Sequence, residues 1–164
     1  MNITLKSLNS SLKKFIAVYT IVISIGVGTG LAFLNHTTSF SPKGTIERFN
    51  GDKKSIDSDF EVPENYPKPI SELLITTHNH ILGLAFIFFS IGLIFYFNSI
   101  INGRLKLFIM TEPLVSIIIS FGSIWLMRFV EEKFVYLAVI SASIMYLSFY
   151  FMAFISLYEL IFKR

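Results

Sequence analysis

The sequence predicts an all-α, polytopic membrane protein: a four-transmembrane-helix bundle with one polar extramembrane loop. Three observations predict it. Apolar residues make up 53% of the 164 residues and charged ones only 15%, against about 45–50% and about 25% in a typical soluble chain. The charges are concentrated in short stretches, leaving four long apolar runs between them. Each run reaches the roughly 20 helical residues needed to cross a hydrocarbon core of about 30 Å.

Residues 1–14 form a short basic N-terminus that ends on Lys13 and Lys14. The first span covers 15–34. It is longer than the roughly 7–15 residues of a signal-peptide core and leads into Leu34-Asn35-His36 without a small-residue cleavage site, so an uncleaved helix is expected. Residues 35–69 make the outer loop, rich in Ser, Thr, Asp, Glu and Lys. Asn50-Gly51 follows Thr45-Ile46-Glu47-Arg48-Phe49 and signals a turn, so a small hairpin is expected there. Pro67-Lys68-Pro69 stiffens the approach to the second span, 70–99, where Ser71 and Glu72 supply a cap and a negative charge at the positive end of the helix dipole. Asn102-Gly103-Arg104 turns the chain into the third span, 107–127, and the charged link 128–133 leads to the fourth, 134–162. Links this short make consecutive helices antiparallel neighbours.

Lysine and arginine near the span ends set orientation. Lys6, Lys13, Lys14, Arg104, Lys106, Lys163 and Arg164 lie on one side, and Lys43, Arg48, Lys53, Lys54, Lys68, Arg128 and Lys133 on the other. Lys53 and Lys54 sit mid-loop, away from the spans, which tips the balance to both termini cytoplasmic, and without a eukaryotic targeting signal in the sequence a bacterial inner membrane is expected. The dispersed basic residues suit lipid headgroups and not nucleic acid.

Helices in lipid associate through close backbone approach at small residues. The first span carries Thr20, Ser24, Gly28, Ala32 and His36 at every fourth position, beside Gly26-x-x-x-Gly30. The second has His78, Ala85, Gly92 and Ser99 on one side and Thr76, Gly83 and Ser90 nearly opposite. The third carries Glu112, Ser116, Ser120 and Ser123, and the fourth Ser141, Met145, Ser148, Met152 and Glu159. A bundle with a mildly polar interior is expected. Its surplus of close-packing faces predicts an oligomer, with itself or with other membrane subunits.

The chain has no cysteine, which excludes disulfides, thiolate metal sites, iron–sulfur clusters and covalent haem attachment. Motifs for nucleotide binding, zinc-protease and serine-hydrolase chemistry are absent, so a stand-alone enzyme is not expected. All three histidines, His36, His78 and His80, fall at the outer membrane level. Imidazoles from two helices could hold haem b, with Arg128 pairing a propionate. His78 and His80 are two residues apart, roughly 200° around a helix, and cannot both reach one metal. His36 with His80 is the favoured pair, since Ala32 and Gly83 leave room beside them. A copper or zinc site drawing on Asp57, Asp59, Glu61 or Glu64 is a further option, and hydrogen bonding to loops or headgroups is the plain alternative. Glu112, well inside a span and followed by Pro113, is a candidate for proton relay or quinone contact. Glu159, four residues before Lys163, reads as half of a surface pair.

Four helices with histidines near one membrane face resemble small membrane cytochrome b subunits and related quinone-linked anchors. The likeness is one of architecture, and no residue role is carried over from it. It implies an electron-transfer subunit of a larger membrane complex, with a quinone or a redox protein as partner. The alternative is a non-catalytic accessory subunit that docks partners through its outer loop and small-residue faces.

Overall fold

The computed structural model describes residues 3–52 and 66–163. A single 3₁₀ turn at Leu5–Ser7 precedes five α-helices: α1 Ser10–Thr38, α2 Pro42–Asn50, α3 Ile70–Tyr96, α4 Gly103–Phe129 and α5 Phe134–Phe162. There is no strand among the described residues. Apart from α2, each helix is long and apolar enough to cross a membrane.

Local chemistry sets the ends. The Asn9 side chain accepts from the Leu12 N–H to start α1, and Ser39, with φ of 51°, stops it in the left-handed region. α2 is a correction to the expected hairpin. Ser41 caps it by accepting from the Gly44 N–H, Pro42 takes the first turn where its missing N–H costs nothing, and Gly51 terminates it at φ 81°. Asn50-Gly51 is therefore a helix stop, not a strand turn. Gly44 is obligatory for a different reason: a Cβ there would lie 2.2 Å from the Thr38 carbonyl oxygen, so only glycine lets α2 fold back onto the end of α1.

α4 and α5, joined by the tight turn at 130–133, form the most extensive helix pair; α3 packs on both, and α1 lies mainly along α5. The main core combines Phe88, Ile91 and Phe95 of α3 with Ile109 and Ile117 of α4 and Met145, Phe149 and Met152 of α5. Phe88 and Phe149 meet edge to face at 5.9 Å, the arrangement that ring quadrupoles prefer. A smaller cluster of Phe49, Leu73, Met127 and Val135 closes one end of the bundle under α2. At the other end the Leu5 N–H donates to the Phe97 carbonyl at 2.9 Å, and buried Leu5 packs beside α5.

Expectations about packing faces divide. The α4 and α5 stripes are internal: Ser116, Ser120, Ser123, Ser141, Met145, Met152 and Glu159 are all buried. On α1, Gly28 faces α5, with the Tyr150 hydroxyl 3.2 Å from where its Cβ would be. Gly26 and Gly30, by contrast, have nothing within 4 Å of that position. On α3 the small residues do not make the contacts. Gly83, and Gly92 although buried, likewise have nothing within 4 Å of that position, and the helix packs through large residues such as Phe88, Ile91 and Phe95, because aromatic rings reach across a wider interhelical gap than glycine contacts need.

Candidate functional site

Polar side chains line the α4–α5 interface from end to end. Ser120 and Ser141 share a hydroxyl–hydroxyl bond of 2.7 Å. Two turns along, Ser116 donates to Oε1 of Glu112 and Ser148 donates to its Oε2 at 2.8 Å. The two levels follow from antiparallel pairing, since moving down α4 from Ser120 to Glu112 moves up α5 from Ser141 to Ser148. Glu112 lies about 14 Å along α4 from Gly103 at about 1.5 Å per residue, well inside a span.

These two serines depart from the usual behaviour of hydroxyls in apolar helices, which donate to the carbonyl four residues back. Ser90 and Ser143 do so here, at 2.8 Å each. Ser116 and Ser148 instead give their protons to a carboxyl. Pro113 sits beside them inside a continuous α4 and, lacking an N–H, leaves the Ile109 carbonyl without its helical donor.

Glu159 corrects the surface-pair expectation. It is 0% exposed and its Oε2 accepts from the Ser99 N–H at 2.7 Å, while Oε1 and the nearby Ser156 hydroxyl have no hydrogen-bond partner among the described residues. The α3–α4 turn is organised around it: the Asn98 side chain accepts from the N–H groups of Ile100 and Ile101, and Lys106 donates to the carbonyls of Tyr96 and Asn98. The signal was present in the sequence, because Glu159 continues the stripe of Met145, Ser148 and Met152 toward the core.

Each histidine has its own surroundings. His80 has its Nδ1 2.8 Å from the Thr76 carbonyl oxygen and its ring 5.4 Å from Phe121 of α4. His78 is exposed, and His36 lines a cavity beside α2. No hydrogen bond or ring contact joins His36 to either of the others among the described residues. No three His, Asp or Glu side chains converge there as around a metal ion, and Asp57, Asp59, Glu61 and Glu64 fall outside the described residues. Arg128 stacks over Phe129 at 5.8 Å, and its Nε is buried without a partner among the described residues. The neighbouring Trp125 donates to Thr77 of α3 at 2.9 Å.

Residues 39–164 match a family model described as Aq_1264_TM, a transmembrane helical domain. The chain belongs to this family. The match begins one residue after α1 ends and takes in α2 to α5, so the Aq_1264_TM domain contains the whole Glu112 site as well as the buried Glu159. No curated protein and no solved structure matches the chain. With four helices able to span a bilayer, this member of the Aq_1264_TM family is a multi-pass membrane protein.

Proposed function

We propose that the domain is a membrane subunit that exchanges protons at the Glu112 carboxyl, within a larger electron-transfer assembly of the quinone-linked kind. One observation carries the reading: Ser116 and Ser148, from two helices, both turn away from their own backbones to hold the two oxygens of one carboxyl. An ionisable group at membrane depth is costly and marks proton or substrate paths. Two rotatable hydroxyls can each switch between donor and acceptor, so the niche accommodates a proton's arrival without backbone movement. The assembly is placed in a bacterial inner membrane, and the basic residues near the span ends favour both termini cytoplasmic.

Infrared difference spectroscopy on the reconstituted protein tests this. A carboxyl band that titrates with bulk pH, shifts on deuteration and disappears in Glu112→Gln is expected. A Glu112 carboxyl that neither titrates nor exchanges would make it a structural strut and end the reading.

A second reading, haem b or a copper or zinc ion held by outer histidines, is favoured by His80. A ring nitrogen bonded to a backbone carbonyl orients the imidazole and frees its other nitrogen for a metal, and His80 has that bond through Nδ1. The reduced-state visible spectrum decides it. His36→Ala and His80→Ala should each abolish a b-type band, with His78→Ala weakening it only modestly; an intact, metal-replete preparation with no such band removes the haem version. Oligomer formation is supported by the open Gly26 and Gly30 on α1 and is tested by mass measurement in nanodiscs, where a monodisperse monomer would count against it.

A further inference from the structure

The end of α1 and the body of α2 border an open cavity of about 350 Å³ lined by His36, Thr38, Ser39, Gly44, Glu47 and Arg48, among others. Most of its polar groups are already committed. The hydroxyls of Thr37 and Thr38 donate to carbonyls of α1, the Ser41 hydroxyl donates to the Thr38 carbonyl, and the Gly44 N–H donates to Ser41. Ligand binding in the cavity therefore falls to the charges of Arg48 and Glu47 and to the imidazole of His36.

Arg48 is half-buried, with its guanidinium carbon 5.1 Å above the Phe33 ring. Burial pulls its pKa below the ordinary value, yet an arginine stays charged. No carboxylate among the described residues forms an ion pair with it. Glu47 is paired with Lys43 at 3.6 Å, but the Lys43 side chain is 86% exposed, and such pairs contribute little. An ammonium arriving in the cavity can take Lys43's place at small cost.

Depth identifies the visitor. Phe33 lies about 27 Å along α1 from Phe15, at the far edge of a hydrocarbon layer of about 30 Å. Phe33 is 59% exposed and Phe40, just past the end of α1, is 55% exposed, and Arg48 joins the Phe33 ring to the cavity, so exposed apolar surface at the level of lipid tails adjoins a cavity bearing one cation and one anion. We propose that this cavity binds the headgroup of a phospholipid carrying a primary ammonium, an ethanolamine-type lipid. Its phosphate rests on Arg48 and His36, its ammonium on Glu47, and its acyl chains descend past Phe33.

Native mass spectrometry of the full chain, released from nanodiscs holding equal amounts of ethanolamine, choline and glycerol phospholipids with the same acyl chains, tests this. The wild-type protein should retain one ethanolamine lipid in preference to the others. Arg48→Ala should lower retention on the order of tenfold, as expected for losing a charge-assisted partner. Glu47→Gln, an isosteric change at the surface that leaves the fold intact, should keep a bound lipid but lose the preference for ethanolamine over glycerol headgroups. Equal retention by Arg48→Ala, or an unchanged preference in Glu47→Gln, overturns the assignment. Displacement of the lipid by inorganic phosphate alone would show a free-anion site and overturn it too.

Discussion

Gly44→Ala sets two opposing effects against each other at one atom. Alanine is the better helix former by about 1 kcal/mol in a helix interior, so propensity alone would stabilise α2. The added methyl, however, would sit 2.2 Å from the Thr38 carbonyl oxygen and 2.8 Å from its carbon. Both are backbone atoms at the end of α1, so no side-chain rotation relieves the overlap and α2 has to lift. Overpacking of this kind costs about 1–3 kcal/mol, and contact with rigid backbone places it near the upper end. The net is about 2 kcal/mol against the docked helix, roughly a thirtyfold increase in its open population. Hydrogen exchange in detergent micelles reads this directly at the amides of Thr45, Ile46, Arg48 and Phe49, while amides in the middle of α5 should be unchanged. Exchange at α2 that stays the same, or slows, would refute the reasoning and show that the end of α1 yields freely.

Phe49→Ala removes the fully packed α2 side chain from the cluster of Leu73, Met127 and Val135, leaving Ile46 at its edge, and should lower unfolding free energy by about 3 kcal/mol, the low end for a buried phenylalanine, measured by denaturation in mixed micelles. Glu159→Ala leaves the Ser99 N–H without its acceptor and should cost about 1–3 kcal/mol for the orphaned donor, before any cavity term, whereas Glu159→Gln, which keeps an acceptor oxygen, should cost less in the same assay. Ser120→Ala and Ser141→Ala should each cost about 0.6 kcal/mol, and the double variant should cost less than their sum, because one shared bond is lost once. Thr77→Val removes the acceptor of the indole N–H and should shift the emission of Trp125, the chain's one tryptophan, to the blue. An unmoved spectrum would mean the bond is not made in the membrane.

The long helices were legible because bilayer thickness imposes one requirement on length and composition, and four runs satisfy it. The α4 and α5 stripes were legible for a related reason: in a mostly apolar helix, Glu112, Ser116 and Ser120 stand out at the spacing that puts them on one face. Partner choice was not legible. Periodicity gives a face but not the rotation of the neighbouring helix, so Ser148 could be placed on the right stripe without being matched to Glu112. Glu159 was misread because Lys163, four residues on, offered a local explanation, and a sequence cannot show that the Ser99 N–H arrives from the α3–α4 turn. The region around α2 was misread at Asn50-Gly51, since the same dipeptide closes a helix or turns a hairpin. Ser41-Pro42 upstream carried the information that decides between them.

The hydroxyls of α1 have a consequence for the order in which the protein can be built. Thr20, Ser24, Thr29, Thr37 and Thr38 each donate to a carbonyl one turn back in their own helix, so α1 requires nothing from elsewhere to enter lipid. It must be able to wait, because the helix it lies along, α5, leaves the ribosome only after α2, α3 and α4. Glu112 has no such independence. Ser116 can reach it from the same helix, but its other oxygen depends on Ser148 in α5. Between insertion of α4 and arrival of α5 the carboxyl is held at one oxygen only, and a membrane insertase or quality-control protease acting in that interval would meet it in that state.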